Sequence, residues 1–121
     1  MPIVDIEAVR APDRAGMPTA DELADALGEV FGSPAGRTWV RMRRLDPGSY
    51  AENGLSLAES ELPVFVSVLH AHPPVAQARQ QELALLTRAI ATLFGCAPDR
   101  VHVQYAAAGA GRQAFGGVLA T

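Results

Sequence analysis

The chain has 121 residues, 49% of them apolar and 19% charged, with a net charge of −3. That is the balance of one globular domain with a real core, and it offers no broad basic field for nucleic acid or an anionic membrane. No apolar run approaches the length of a membrane span, and the N-terminus lacks the layout of a signal peptide.

"PIVDIEAV" (2–9) alternates apolar and polar residues and reads as a strand. Thr19 and Glu22 have capping-box spacing, so a helix starts there, with Leu23, Leu27, Val30 and Phe31 on one face. Gly32 stops the helix and Pro34 follows. "TWVRMRRL" (38–45) is the next strand, "DPGSYAENG" (46–54) is turn chemistry, and residues 55–62 read as a linker.

The pattern then repeats. "PVFVSVLHA" (63–71) is a strand, and 75–94 a helix burying Leu83, Leu86, Ile90, Leu93 and Phe94. Gly95 ends that helix, and "DRVHVQYA" (99–106) is the partner strand. Phe31, Gly32 and Arg37 each recur 63 positions later, as Phe94, Gly95 and Arg100. The expected architecture is α/β (α+β), a tandem β-α-β repeat in one domain, 1–121. The first unit is 2–54, the linker 55–62 and the second unit 63–121. A helix-length crossover makes the strands of each unit parallel. Four strands with two helices on one face leave the other sheet face apolar and uncovered, and further subunits are expected to cover it.

The single cysteine, Cys96, excludes an internal disulfide. With no export signal, a reducing cytoplasm is the expected location. All ten basic side chains are arginines. With no lysine, lysine-bound pyridoxal chemistry is excluded, and any amine chemistry must use the terminus. Pro2 follows Met1. Removal of Met1 would expose a secondary amine, whereas retention would leave an amide that cannot be a base.

Arg41 and Arg43 lie two apart on a strand and share a face with Trp39. This reads as a carboxylate clamp beside an aromatic wall, as a polar strand face or as a salt-bridged subunit seam. Arg44 points the other way and reads as structural. His70 and His72 in "LHAHPP" share a face in the same manner. A metal reading of that pair needs a third ligand, and His102 is the only other histidine, so no metal is expected. His102 and Gln104 share a face, as pocket lining or as interface groups. Cys96 reads as a small apolar core residue.

An early proline, two β-α-β units and a Phe-Gly-Gly tail together resemble the tautomerase superfamily. The likeness is to its fused two-unit members, such as the migration-inhibitory-factor and cis-3-chloroacrylate dehalogenase groups. "SPAGRTWV" and "APDRVHVQY" are similar to the family's helix-to-strand junctions, and "RQAFGGVL" sits where the family has a closing aromatic or Gly-rich segment. The resemblance implies a homotrimer with the terminal proline nitrogen, here Pro2, as a catalytic base or acid. It implies a cofactor-free tautomerase or isomerase acting on a small carboxylate-bearing keto or enol acid. Arg41, Arg43, His70, His72 and Gln104 are the candidate substrate-binding residues, with Phe115 an apolar wall. Pro63, the counterpart of Pro2, is an internal imide.

Departures from the family are specific. Dehalogenases and malonate semialdehyde decarboxylases carry two arginines where this chain has Ala71 with Pro73 or Pro74. Single-unit members have a substrate arginine near Pro12, with Arg10 and Arg14 as the closest arginines here. The dehalogenases' water-activating glutamate aligns with Ala114, which cannot activate water, so hydrolytic dehalogenation by that route is not expected. Tyr50 aligns with an aromatic that shields the proline in single-unit members. The alternative expectation is a non-catalytic module, either ferredoxin-like or tautomerase-like, that binds a ligand or a partner.

Overall fold

A computed structural model describes residues 2–13 and 16–121. The first unit is β1 (Ile3–Val9), α1 (Ala20–Phe31) and β2 (Trp39–Leu45). The second is β3 (Val64–Leu69), α2 (Ala76–Phe94) and β4 (Val101–Tyr105). Between the units run two single 3-10 turns, Pro47–Ser49 and Glu59–Glu61. A short hairpin, β5 (Ala114–Phe115) and β6 (Val118–Leu119), closes the chain.

Each helix begins and ends for local reasons. At the start of α1, the Thr19 hydroxyl accepts from the Glu22 backbone N–H, and Glu22 Oε1 accepts from the Thr19 N–H, both at 3.1 Å. This is the expected capping box. Both helices stop at a glycine in the left-handed region, Gly32 (φ 63°) and Gly95 (φ 65°). A Cβ on Gly95 would meet nothing within 4 Å, so only backbone strain opposes it. Gly95→Ala is therefore expected to lower stability by about 1 kcal/mol, read from the urea midpoint.

The sheet order is β2-β1-β3-β4, with β1/β2 and β3/β4 parallel and β1/β3 antiparallel. The strands of each unit are immediate neighbours. A ferredoxin-like fold separates them with an intervening strand, so this order overturns the ferredoxin-like alternative. Even-numbered residues of β1 and β3 face the helices: Val4, Ile6, Ala8, Val64, Val66 and Val68 are all buried. Leu23 and Leu27 of α1 meet them, with Leu86, Ile90 and Phe94 of α2. Leu83 and Leu93, expected in that core, are half-buried, as is Cys96, which packs against it.

The opposite sheet face corrects one expectation. The helices leave it open, although Tyr50 reaches Phe65 and Phe115 reaches Trp39 on it, and it is not apolar. Register aligns Arg41, Asp5, Ser67 and Gln104 in one row and Arg43, Glu7, Phe65 and His102 in the next. The flanking rows, Trp39, Ile3 and Leu69 at one end and Leu45 and Val9 at the other, are apolar. Among the described residues, no helix is long and apolar enough to cross a membrane.

Candidate functional site

Pro2 sits just ahead of β1, and its carbonyl accepts from the Trp39 N–H at 3.1 Å, which extends the β1/β2 ladder by one step. The residue is buried. Met1, whose removal would free the nitrogen, lies outside the described residues.

The end of the sheet that holds Pro2 is crowded by its neighbours. Phe115 meets Trp39 edge-on, with ring centroids 5.3 Å apart, and Trp39 Nε1 donates to the Gly36 carbonyl at 3.0 Å. The expected apolar wall at Phe115 thus stands beside the strand that binds Pro2. The tail reaches this end because Gly109 N–H donates to the His70 carbonyl at 2.8 Å and Ala110 N–H to that of Ala71 at 3.1 Å.

His70 and His72 do not converge, because β3 ends at Leu69. His70 turns beneath the helices, where its Nε2 lies 3.0 Å from Glu82 Oε2. His72 is exposed, and its Nε2 lies 2.8 Å from the Thr121 backbone oxygen. Their expected common face is therefore corrected. Tyr105 donates to the same Glu82 Oε2 at 2.7 Å. Burial first, and that hydrogen bond second, push the Tyr105 phenol above its ordinary value. The Arg79 guanidinium lies 5.4 Å from the Tyr105 ring centroid, and Arg79 Nε donates to the Pro74 carbonyl at 2.8 Å. Sequence reasoning missed Glu82, Tyr105 and Arg79. In the sequence, Arg79 and Glu82 show only i, i+3 helical spacing, which does not separate a buried pair from a solvated one.

Arg41 is occupied. Its Nε and Nη2 donate to Asp5 Oδ1 and Oδ2 at 2.6 and 2.8 Å. This bidentate pair forms across β1 and β2 within the chain, so the Arg41 guanidinium is engaged by a carboxylate of its own sheet. The hydrogen bond from Arg41, and the positive charges of Arg41 and Arg43, hold the Asp5 carboxyl below its ordinary 3.8 despite partial burial. A depressed carboxyl contributes stability above the unfolded value and loses it as pH falls through the folded one. Asp5→Asn should therefore be less stable than the parent above about pH 4, with the difference shrinking as pH falls further in acid-denaturation curves. The side chains are 64% and 35% exposed, so screening keeps the effect small.

Arg43 and Gln104 stand on the opposite edge strands β2 and β4, in adjacent register rows. They line a groove of about 350 Å³ on the open sheet face, with Asp5, Glu7, Phe65 and His102. Two expected binding residues thus share one surface, separate from the helix-facing side that buries Pro2.

Other candidates fall at the far end of β1. Arg10 donates to the Val9 and Leu62 carbonyls at 2.7 and 3.0 Å and stands over Phe94. Arg44 donates to the Arg10 carbonyl and to Asp46, as its structural reading expects. Tyr50 donates to Glu52 at 2.7 Å and tilts against Phe65, away from its own Pro2. The linker carries it there, so it shields no proline within this chain. Arg14 lies outside the described residues. Among the described residues, no three His, Cys, Asp or Glu side chains gather as a metal site.

No family model and no curated protein matches the chain significantly. Solved structures do. A malonate semialdehyde decarboxylase inhibited by 3-bromopropiolate is 24% identical with TM-score 0.65, over 94% of this chain and 90% of that one. A fused 4-OT described as a symmetric trimer is 13% identical with TM-score 0.72, over 98% and 94%. The macrophage migration inhibitory factor of Trichinella spiralis is 12% identical with TM-score 0.71, over 97% and 98%. These likenesses run nearly end to end in both partners, and they agree with the paired β-α-β units and the sheet order. The chain has the fold of the tautomerase superfamily.

Proposed function

We propose that the chain is a cofactor-free tautomerase or isomerase that moves a proton on a small keto or enol acid, with the Pro2 nitrogen as the base. The observation that carries this reading is the burial of Pro2 at the mouth of β1, beside Trp39. A terminal secondary amine is mostly protonated in water. Burial penalises the cation and so favours the uncharged form that can accept a proton. The 3-bromopropiolate that inhibits the similar decarboxylase is a small unsaturated carboxylate, which supports the substrate class.

Assembly completes the site in this reading. The fused 4-OT is a trimer, and the open sheet face here carries polar rows that a partner copy could meet. In a homotrimer, the groove holding Arg43 and Gln104 would face the Pro2 of a neighbouring copy. Arg43 would grip the substrate carboxylate and stabilise the enolate formed as the proton leaves carbon. We place this chemistry in the cytoplasm.

A second reading, a tautomerase-fold binding module without catalysis, is favoured by two observations. Arg41 is neutralised by Asp5, and the stretch that carries two arginines in decarboxylases holds Ala71, Pro73 and Pro74. Enol-to-keto conversion of phenylenolpyruvate separates the readings. Protein verified by mass to lack Met1 should turn it over, and protein retaining Met1 should not. A processed protein with no turnover leaves the binding module.

A further inference from the structure

We infer that His70, Glu82 and Tyr105 form a positioning network that holds the Pro2 ring, an assignment that rests on the catalytic reading above. The pattern of β3 motivates it. Val64, Val66 and Val68 face the helices and are buried, and His70 is the next residue of that parity. A polar side chain placed there must find partners or destabilise the fold. It finds Glu82, and the two side chains are only 12% and 16% exposed.

The imidazole is fixed on several sides. Phe31 meets it edge-on at 5.1 Å, and Tyr105 stacks on it at 6.1 Å with planes 17° apart. Glu82 Oε2 accepts from Tyr105 and lies within hydrogen-bond reach of His70 Nε2. Because a carboxylate only accepts, the Nε2 proton is assigned to that bond. Arg79 stands over the Tyr105 ring from the same helix.

Register brings this network to Pro2. Ile3 pairs with Leu69, so the next antiparallel step sets Pro2 opposite His70. Val9 N–H donates to the Pro63 carbonyl, which makes the odd-numbered positions of β1 the hydrogen-bonded ones on this side. Continued by one step past Ile3 and Leu69, that register would make Pro2 and His70 a non-bonded pair with side chains on one face. A held imidazole fixes the pyrrolidine ring, and with it the direction of the nitrogen lone pair.

The test has a kinetic arm and a spectroscopic arm, both on the full chain. Glu82→Ala and His70→Ala should lower kcat for phenylenolpyruvate about tenfold with KM little changed, since misdirection of the base rather than loss of substrate contacts is expected. Glu82→Asp should recover part of the loss. The ¹³Cβ and ¹³Cγ signals of the Pro2 ring should move in Glu82→Ala, although Glu82 is separated from Pro2 by His70. If the alanine variants do not fold, Tyr105→Phe, which removes only one hydroxyl, is read the same way with a smaller shift. Unmoved Pro2 signals, or an unchanged kcat, overturn the network. Parent protein without turnover overturns the catalytic reading instead, and the ring signals then decide the network alone.

Discussion

Replacing Pro2 with alanine is expected to lower kcat/KM for phenylenolpyruvate ketonisation by about 10²- to 10⁴-fold, the usual contribution of a positioned acid or base. The substitution keeps a terminal amine but changes its character. Proline presents a secondary amine in a ring that prevents rotation about the N–Cα bond. Alanine presents a primary amine that rotates and takes more water, which favours the cation. The main loss should be in kcat, because the Pro2 nitrogen touches the moving proton rather than the acid group. Steady-state rates of mass-verified protein read the effect. A loss smaller than about threefold would assign the chemistry to another group.

The largest expected effect on stability is at Ile6. It lies in the centre of β1, one of the two interior strands, with Met42 and Val66 as register partners, and it is 1% exposed. Helices press on it from one side and neighbouring strands flank it, so little can collapse into the space of a lost side chain. Ile6→Ala should lower unfolding free energy by about 3 to 4 kcal/mol, toward the upper part of the range for buried aliphatic truncations. Urea denaturation reads this as a lower midpoint at an unchanged slope. The control is Leu85→Ala on α2, where the side chain is 47% exposed and the expected change is within about 0.5 kcal/mol.

Local features of this fold were legible in the chain because local chemistry sets them. Thr19 and Glu22 cap each other across one turn, and Gly32 and Gly95 supply the left-handed stops. Strand parity sorted Val4, Ile6, Val64 and Val66 to the core. What escaped was pairing at a distance. Asp5 and Arg41 have matching parity, but only the parallel register of β1 with β2 shows that one neutralises the other. The same register turned an expected apolar face into polar rows.

The histidines fail for a different reason. Strand parity carries His70 under the helices after Val64, Val66 and Val68, but β3 stops at Leu69, so His72 no longer follows and goes to solvent. Glu82 was hidden because an acid three positions after Arg79 reads as a solvated helical pair until its partners on β3 and β4 are in place. The closing hairpin was missed because each of its strands is two residues long and flanked by glycine.

The catalytic account turns on the charge of one nitrogen, and a titration of ¹⁵N-proline-labelled protein followed by NMR reads it directly. The account predicts a single titrating proline nitrogen, with its midpoint below that of the same N-terminal sequence as a free peptide. A proline nitrogen that does not titrate, or a midpoint at or above the peptide's, would contradict it.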